Sequence, residues 1–372
     1  MTFNRLCFKC NYAFLIFQKC AIIYQTFGYI KREIKIKKNI FILTVLTAIL
    51  FVLVLFSLTI GSKFIGLSKI LEIFTDSSAN YQIERSIIFK LRLPRILLSV
   101  LVGMVLSLSG LVFQTLLKNP LAEPFTLGIS SGASFGAALG LFISNYIANY
   151  KLPLFPFALC GGFSTIFILF YFTSKKNISL FTIIFIGVAI SYFFNALLTF
   201  LMSLLGDKSY EVLLWMFGTF TNPPNTGLFL FFFVLFIVGF IFIFFHSKKM
   251  DILYMSDEVV KSIGININVT RGLLFFTVSL LTIFSVSFCG IIGFVGLIVP
   301  HLARIIFGNK HKSLIPAVCL IGGILLLVSD DIARTVVSLF NDYGKELPIG
   351  VVTSLLGTPF FLYFLLKNRK LL

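Results

Sequence analysis

Charge is scarce in this sequence. Asp, Glu, Lys and Arg make up 12% of its 372 residues, about half of the roughly 25% found in a soluble domain. That shortage excludes a water-soluble globule, because too little polar surface exists to cover one. Histidine is scarcer still, and the three present do not form a site. His301 sits in Val299-Pro-His-Leu-Ala-Arg304, which is not the H-E-x-x-H of a zinc protease. His246 and His311 fall in basic loops and read most simply as solvated residues. No G-x-x-x-x-G-K-[ST] run occurs, so the chain does not hold ATP through a P-loop. The six cysteines supply one C-x-x-C, Cys7-Phe-Lys-Cys10, with no second pair or histidine cluster beside it, so no metal site is indicated. Cys160, Cys289 and Cys319 lie in apolar runs and read as small buried hydrophobes. Gly128-Ile-Ser-Ser-Gly132 has the letters of a hydrolase elbow but sits in an apolar helical run without partner His and Asp, so the match is accidental. No catalytic set and no cofactor site survives.

What the sequence has in abundance is hydrophobic residues, 58% of the chain, with a mean hydropathy of +1.02. Lipid must therefore be the solvent for much of it, and the expected fold class is all-α and polytopic. Asn39–Ile60 is a first uncharged stretch of more than 18 residues, long enough to cross a bilayer. After a polar stretch, Gly61–Lys90, come Leu93–Leu117, Thr126–Ile147, Pro153–Thr173, Leu180–Leu205 and Thr226–Phe245. A second polar segment, His246–Arg271, precedes Gly272–Cys289, a short Phe294–Phe307, Leu314–Ser329 and Leu347–Leu366. These ten segments define a membrane domain over 39–370. Residues 1–38 form a basic N-terminal extension that lacks the clean apolar core and cleavage site of a signal peptide.

A net charge of +17 in a soluble chain would point to nucleic acid. In a membrane chain it first obeys the positive-inside rule. Loops assigned alternately put 21 Lys and Arg on the side of the termini and 10 on the other, while the acids divide 5 against 9. Both termini are therefore expected in the cytoplasm. Leu93–Leu117 and Gly272–Cys289 each follow a charged loop and end near a glycine, Gly110 or Gly290, before a Gly/Pro-rich break. The second copy starts from the opposite side, the pattern of an inverted repeat, and such interrupted segments often mark a transport route.

Gly128, Gly132, Gly136 and Gly140 recur every four residues, which on a helix gives one smooth stripe for close packing. Arg92 and Arg95 flank Pro94, three residues apart and so on one helical face. Asp330, Asp331 and Arg334 close the ninth segment at the same outer surface. Two readings stay open there. One is anchoring and salt bridging, with Asp330–Arg334 at i,i+4; the other is an exposed arginine patch that receives an acidic partner. Met250–Val269 is long for a helix connection and carries Asp251, Asp257, Glu258, Lys261 and Gly264. It reads equally as a solvated loop or as a seat for a cytoplasmic partner.

Taken in order, several motifs resemble the permeases of iron-siderophore, haem and vitamin B12 ABC importers. They are Arg92-Leu-Pro-Arg95, Asn119-Pro-Leu-Ala-Glu-Pro124, Leu127-Gly-Ile-Ser-Ser-Gly-Ala133, Trp215-Met-Phe-Gly218 and Gly293-Phe-Val-Gly-Leu-Ile-Val-Pro-His-Leu-Ala-Arg304. Asp330-Asp-Ile-Ala-Arg334, Glu346-Leu-Pro-Ile-Gly-Val-Val-Thr353 and Gly357-Thr-Pro-Phe-Phe361 complete the series. The resemblance covers residues 40 to 370; the N-terminal extension is the one departure. It implies a homodimeric ten-helix permease of a bacterial inner membrane, served by a cytoplasmic ATPase dimer and an extracytoplasmic binding protein. By the same resemblance, Arg92, Arg95 and Arg334 would dock the binding protein. Asp251, Asp257, Glu258, Ser262 and Gly264 would couple to the ATPase. The cargo implied is a ferric siderophore first, then haem or cobalamin. A stand-alone secondary transporter or channel is the alternative, and it would need ionisable groups at mid-membrane.

Overall fold

The computed structural model describes residues 33, 36–61, 65–75, 81–148, 150, 152–173, 180–253, 267–337 and 346–367. Among them there is no strand. The chain divides into two units, Met1–Ala48 and Ile49–Leu372.

The apolar segments fold as helices because a backbone in lipid must satisfy its own hydrogen bonds. They are α1 (Ile36–Thr59), α3 (Gln82–Leu116), α4 (Ile129–Ile143), α5 (Leu154–Thr173), α6 (Leu180–Leu205), α8 (Thr226–Phe245), α10 (Ile267–Cys289), α11 (Val295–Phe307), α12 (His311–Thr335) and α13 (Ile349–Lys367). Shorter helices lie between them: α2 (Leu67–Thr75), α7 (Ser209–Met216) and α9 (Ser247–Leu253). Among the described residues, seven helices are long and apolar enough to cross a membrane; α4, α11 and α13 are not among those seven. The polar stretch after the first segment is partly helical, since α2 occupies it and α3 begins at Gln82, well before Leu93.

Helix α3 lies at the centre. Of its most apolar stretch 83% is buried inside the chain, against 17% for α6 and 22% for α8. Helices α6 and α8 therefore present apolar side chains outward, as lipid or a second subunit requires. Small residues permit the tight seams around α3. A Cβ added at Gly103 would collide with the Gly322 carbonyl on α12, and one at Gly110 with the Gly296 carbonyl on α11. Ser107 Oγ donates to Val318 O across the α3–α12 seam at 2.8 Å.

The glycine stripe sits on the α4–α5 seam. A Cβ at Gly132 would run into Gly161 and Thr165, one at Gly136 into the Phe157 carbonyl, and one at Gly140 into the Phe157 ring. Gly128 stands apart from the stripe. It precedes the helix as its N-cap with φ 84°, a left-handed conformation that side chains disfavour.

Candidate functional site

The two ends of α3 carry the polar chemistry. At its N-terminal end a π-helical turn, Ile87–Arg92, runs into Pro94. Arg95 meets Asp330 on α12 bidentately: Nη2 lies 2.8 Å from Oδ1, and Nε lies 3.1 and 3.0 Å from the two oxygens. Its Nη1 reaches Glu346 Oε2 at 2.7 Å. Arg334 pairs with Asp331 on its own helix and also donates from Nη2 to Ser57 Oγ at 2.7 Å. Ser57 in turn donates to Asp331 Oδ1 at 2.6 Å. Arg92 Nη1 donates to Leu58 O at 2.6 Å.

The structure thus brings Arg92, Arg95 and Arg334 together, as the spacing suggests, but it buries them at 6%, 9% and 8% exposure. Of the two readings left open by the sequence, this burial fits salt bridging and not an exposed arginine patch. Arg95 and Arg334 pair with Asp330, Asp331 and Glu346, whereas Arg92 rests on the Leu58 carbonyl. The cause is physical: charges brought into a helix bundle stay ionised only when paired and hydrogen-bonded. Asp330, at 0% exposure, is the group that most needs its partners.

Glu346 also lines a half-open cavity of about 990 Å³ at this end, together with Phe155, Glu211, Trp215, Thr219 and Phe288. That lies at the upper end of the roughly 300–1,000 Å³ of small-molecule sites. Its walls combine aromatic faces with two carboxylates. Composition and spacing gave no sign of this cavity, because its lining comes from five separate segments of the chain.

Past the other end of α3, residues 117–128 lead back into the protein. Glu123 there accepts a hydrogen bond from the backbone N–H of Phe294, the N-cap of α11. Its Oε2 is buried without a hydrogen-bond partner. Burial pushes this carboxyl up to about 7, outweighing the Phe294 bond that lowers it. Phe294 has φ 68°, a strained conformation for a bulky residue. A Cβ added to Gly357 on α13 would lie 2.6 Å from Phe294 Cβ, so α13 closes directly over this turn. Gln114 joins the same region, donating to Gly296 O at 3.2 Å and accepting from Arg304 Nη1 at 2.6 Å.

At the tip of α3, His311 is not a solvated loop residue as expected from sequence. It is 4% exposed and starts α12, held between Asp251 of α9 and Thr115 of α3. Asp251 Oδ1 accepts from the His311 backbone N–H at 2.9 Å and lies 2.6 Å from Nδ1. His311 Nε2 lies 2.8 Å from Thr115 Oγ1. Burial raises the Asp251 pKa, but its hydrogen bonds with His311, helped by nearby Lys310, outweigh it and hold the carboxyl below its ordinary value. Asp257, Glu258, Ser262 and Gly264 lie outside the described residues. Cys289 and Cys319 are buried as expected, whereas Cys160 is exposed on α5.

A multi-pass helical bundle with paired charges at one end and a polar tie at the other is the architecture of a membrane transport permease. Comparison with known proteins makes this particular: the FecCD transport family matches residues 49–367, and the chain belongs to that family. The molybdate import system permease protein MolB of Haemophilus influenzae is 33% identical over 331 residues, 87% of this chain and 95% of that protein. The iron(3+)-hydroxamate import system permease protein FhuG of Bacillus subtilis is 29% identical, over 90% of this chain and 98% of its own length. A solved inward-facing conformation of a metal-chelate type ABC transporter is similar at 32% identity, with a TM-score of 0.75 over 88% of this chain and 99% of that one.

Proposed function

We propose that this chain is the membrane permease of an ABC importer that takes up a metal chelate, a ferric siderophore foremost, with haem or cobalamin next. The observation that carries the reading is its likeness to the metal-chelate type ABC transporter along nearly the whole of both chains. Two copies would form the pathway in a bacterial inner membrane, with termini in the cytoplasm as the positive-inside asymmetry requires. An extracytoplasmic binding protein would deliver cargo to the end that carries the 990 Å³ cavity. A cytoplasmic ATPase dimer would act on the segment that opens at α9, since the chain has no P-loop of its own. The buried state of Arg92, Arg95 and Arg334 changes how docking is to be read: the binding protein would seat on helix ends that these residues clamp, and not on free guanidinium groups.

The decisive experiment is uptake into proteoliposomes holding the permease, its ATPase and a loaded binding protein. The expected result is accumulation of a ferric hydroxamate only when ATP is supplied inside. A second reading, proton-coupled transport by this chain alone, draws on the unpartnered Glu123 oxygen. Accumulation driven by a pH gradient without ATP would favour it and sink the first.

A further inference from the structure

His311 joins three elements through one imidazole ring. Asp251 lies on α9, the first turns of the cytoplasmic segment; His311 is the first residue of α12; Thr115 is one residue from the end of α3. Asp251 Oδ1 takes both the backbone N–H and the Nδ1 side of the ring, at 2.9 and 2.6 Å. A carboxylate at a helix N-terminus is favoured by the helix dipole as well as by these bonds. An ionised carboxylate only accepts, so Nδ1 must carry a proton.

The far side of the ring then has two arrangements. Thr115 Oγ1 lies 2.8 Å from Leu111 O and 2.8 Å from His311 Nε2, and a hydroxyl has one proton to give. With a neutral ring, Thr115 donates to Nε2. With a charged ring, Nε2–H donates to Thr115, and the hydroxyl proton turns to the Leu111 carbonyl. Either way the contact is satisfied and buried, with Thr115 at 1% exposure. No spare water or loop is needed to join α9 to both long helices.

We infer that Asp251, His311 and Thr115 form a positioning link that carries movement of the α9 segment into α3 and α12 together. This rests on the proposed role of that segment as the receiver of an ATPase. None of the three touches cargo; they act by holding α9 in register with the two helices. Were α9 merely tethered by its chain to α8, an ATPase could shift it without moving the pathway.

The test compares the intact transporter with Thr115→Val, Thr115→Ser, His311→Gln and Asp251→Asn permeases, reading cargo imported per ATP hydrolysed. Thr115→Val replaces the hydroxyl with a methyl of similar shape, and Thr115→Ser keeps the hydroxyl. The expected result is a loss of about tenfold in import per ATP for Thr115→Val, His311→Gln and Asp251→Asn, the scale of one buried hydrogen bond. Thr115→Ser should stay near the parent, and ATP hydrolysis should persist in all four. Import per ATP unchanged in Thr115→Val and His311→Gln at normal membrane abundance would overturn the link. So would import and hydrolysis falling in the same proportion, which is what simple loss of folded protein gives. If the parent transporter itself imports nothing with ATP, the importer reading fails, and that outcome is distinct from either.

Discussion

Arg95 offers the sharpest test of how the charged end works. Removing it by Arg95→Ala leaves the fully buried Asp330 carboxylate with Arg334 Nε at 3.4 Å as its remaining ion-pair contact. Breaking one partner of a buried pair costs about 3–5 kcal/mol, because the other charge is left uncompensated. Glu346 also loses its partner, but its side chain is 33% exposed and rehydrates cheaply. Asp330→Ala alone strands Arg95, which keeps Glu346 at 2.7 Å and so should lose less. The double variant removes the frustrated pair and should recover part of the loss, leaving a coupling term of about 1–3 kcal/mol. Reversible unfolding in mixed micelles measures these differences, and uptake per inserted copy is read in parallel. Arg95→Ala within 1 kcal/mol of the parent would refute the clamp. A double variant that regains stability yet loses binding-protein affinity would restore the free-arginine view of docking.

Other consequences follow from the geometry. Glu123, raised from 4.5 to about 7, binds its proton more tightly in the folded state. Stability should therefore fall as pH rises from about 4.5 to 7, by at most about 3 kcal/mol, and pH-dependent unfolding of Glu123→Gln should be flatter. Gly136→Leu should cost about 1–3 kcal/mol by forcing α4 off α5, whereas Gly272→Ala, with nothing within 4 Å, should stay near or above the parent in thermal unfolding. Trp215, the one tryptophan of the sequence, lines the cavity, so a ferric hydroxamate binding there should quench its fluorescence; no quenching at saturating chelate would place the cargo elsewhere. A Val100→Cys/Gly323→Cys pair, in a chain otherwise free of cysteine, should form a disulfide, since a Cβ at 323 lies 3.2 Å from Val100 Cγ1. Oxidation should leave uptake intact, and loss of uptake restored by reductant would show that α3 and α12 slide.

The helices were legible because hydrophobic runs of bilayer length have few other solutions. The glycine stripe was legible because four-residue spacing maps directly onto one helical face. Pairing was not. Nothing between positions 95 and 330, or between 115 and 311, announces that those side chains meet, since contact across helices leaves no local period. His311 shows the limit plainly. Its neighbours Lys310 and Lys312 make it look like a loop residue, while the partners that bury it lie 60 and 196 positions away. Arg92, Arg95 and Arg334 were found by motif and spacing, but the partners that bury Arg95 (Asp330 and Glu346) arrive from segments 235 and 251 positions away. The i,i+4 reading of Asp330 with Arg334 anticipated only the weaker contact, at 3.4 Å.

Helices α3 and α12 are fastened at three levels. Arg95 and Asp330 join one end, Gly103, Ser107, Val318 and Gly322 bring the backbones together in the middle, and Thr115 with His311 joins the other end. Sliding one helix against the other would break a buried ion pair, a buried hydroxyl bond and a backbone seam at once. Each of those losses costs about 1 kcal/mol or more, so the pair moves as one strut. Under the proposed coupling, movement at Asp251 would be carried along this strut to the paired charges at the far end. The elements left to change shape are those packed loosely against the strut. The turn at Phe294 is not among them: Glu123 holds its backbone N–H, Leu297 and Ile298 hold its carbonyl, and α13 packs over its ring.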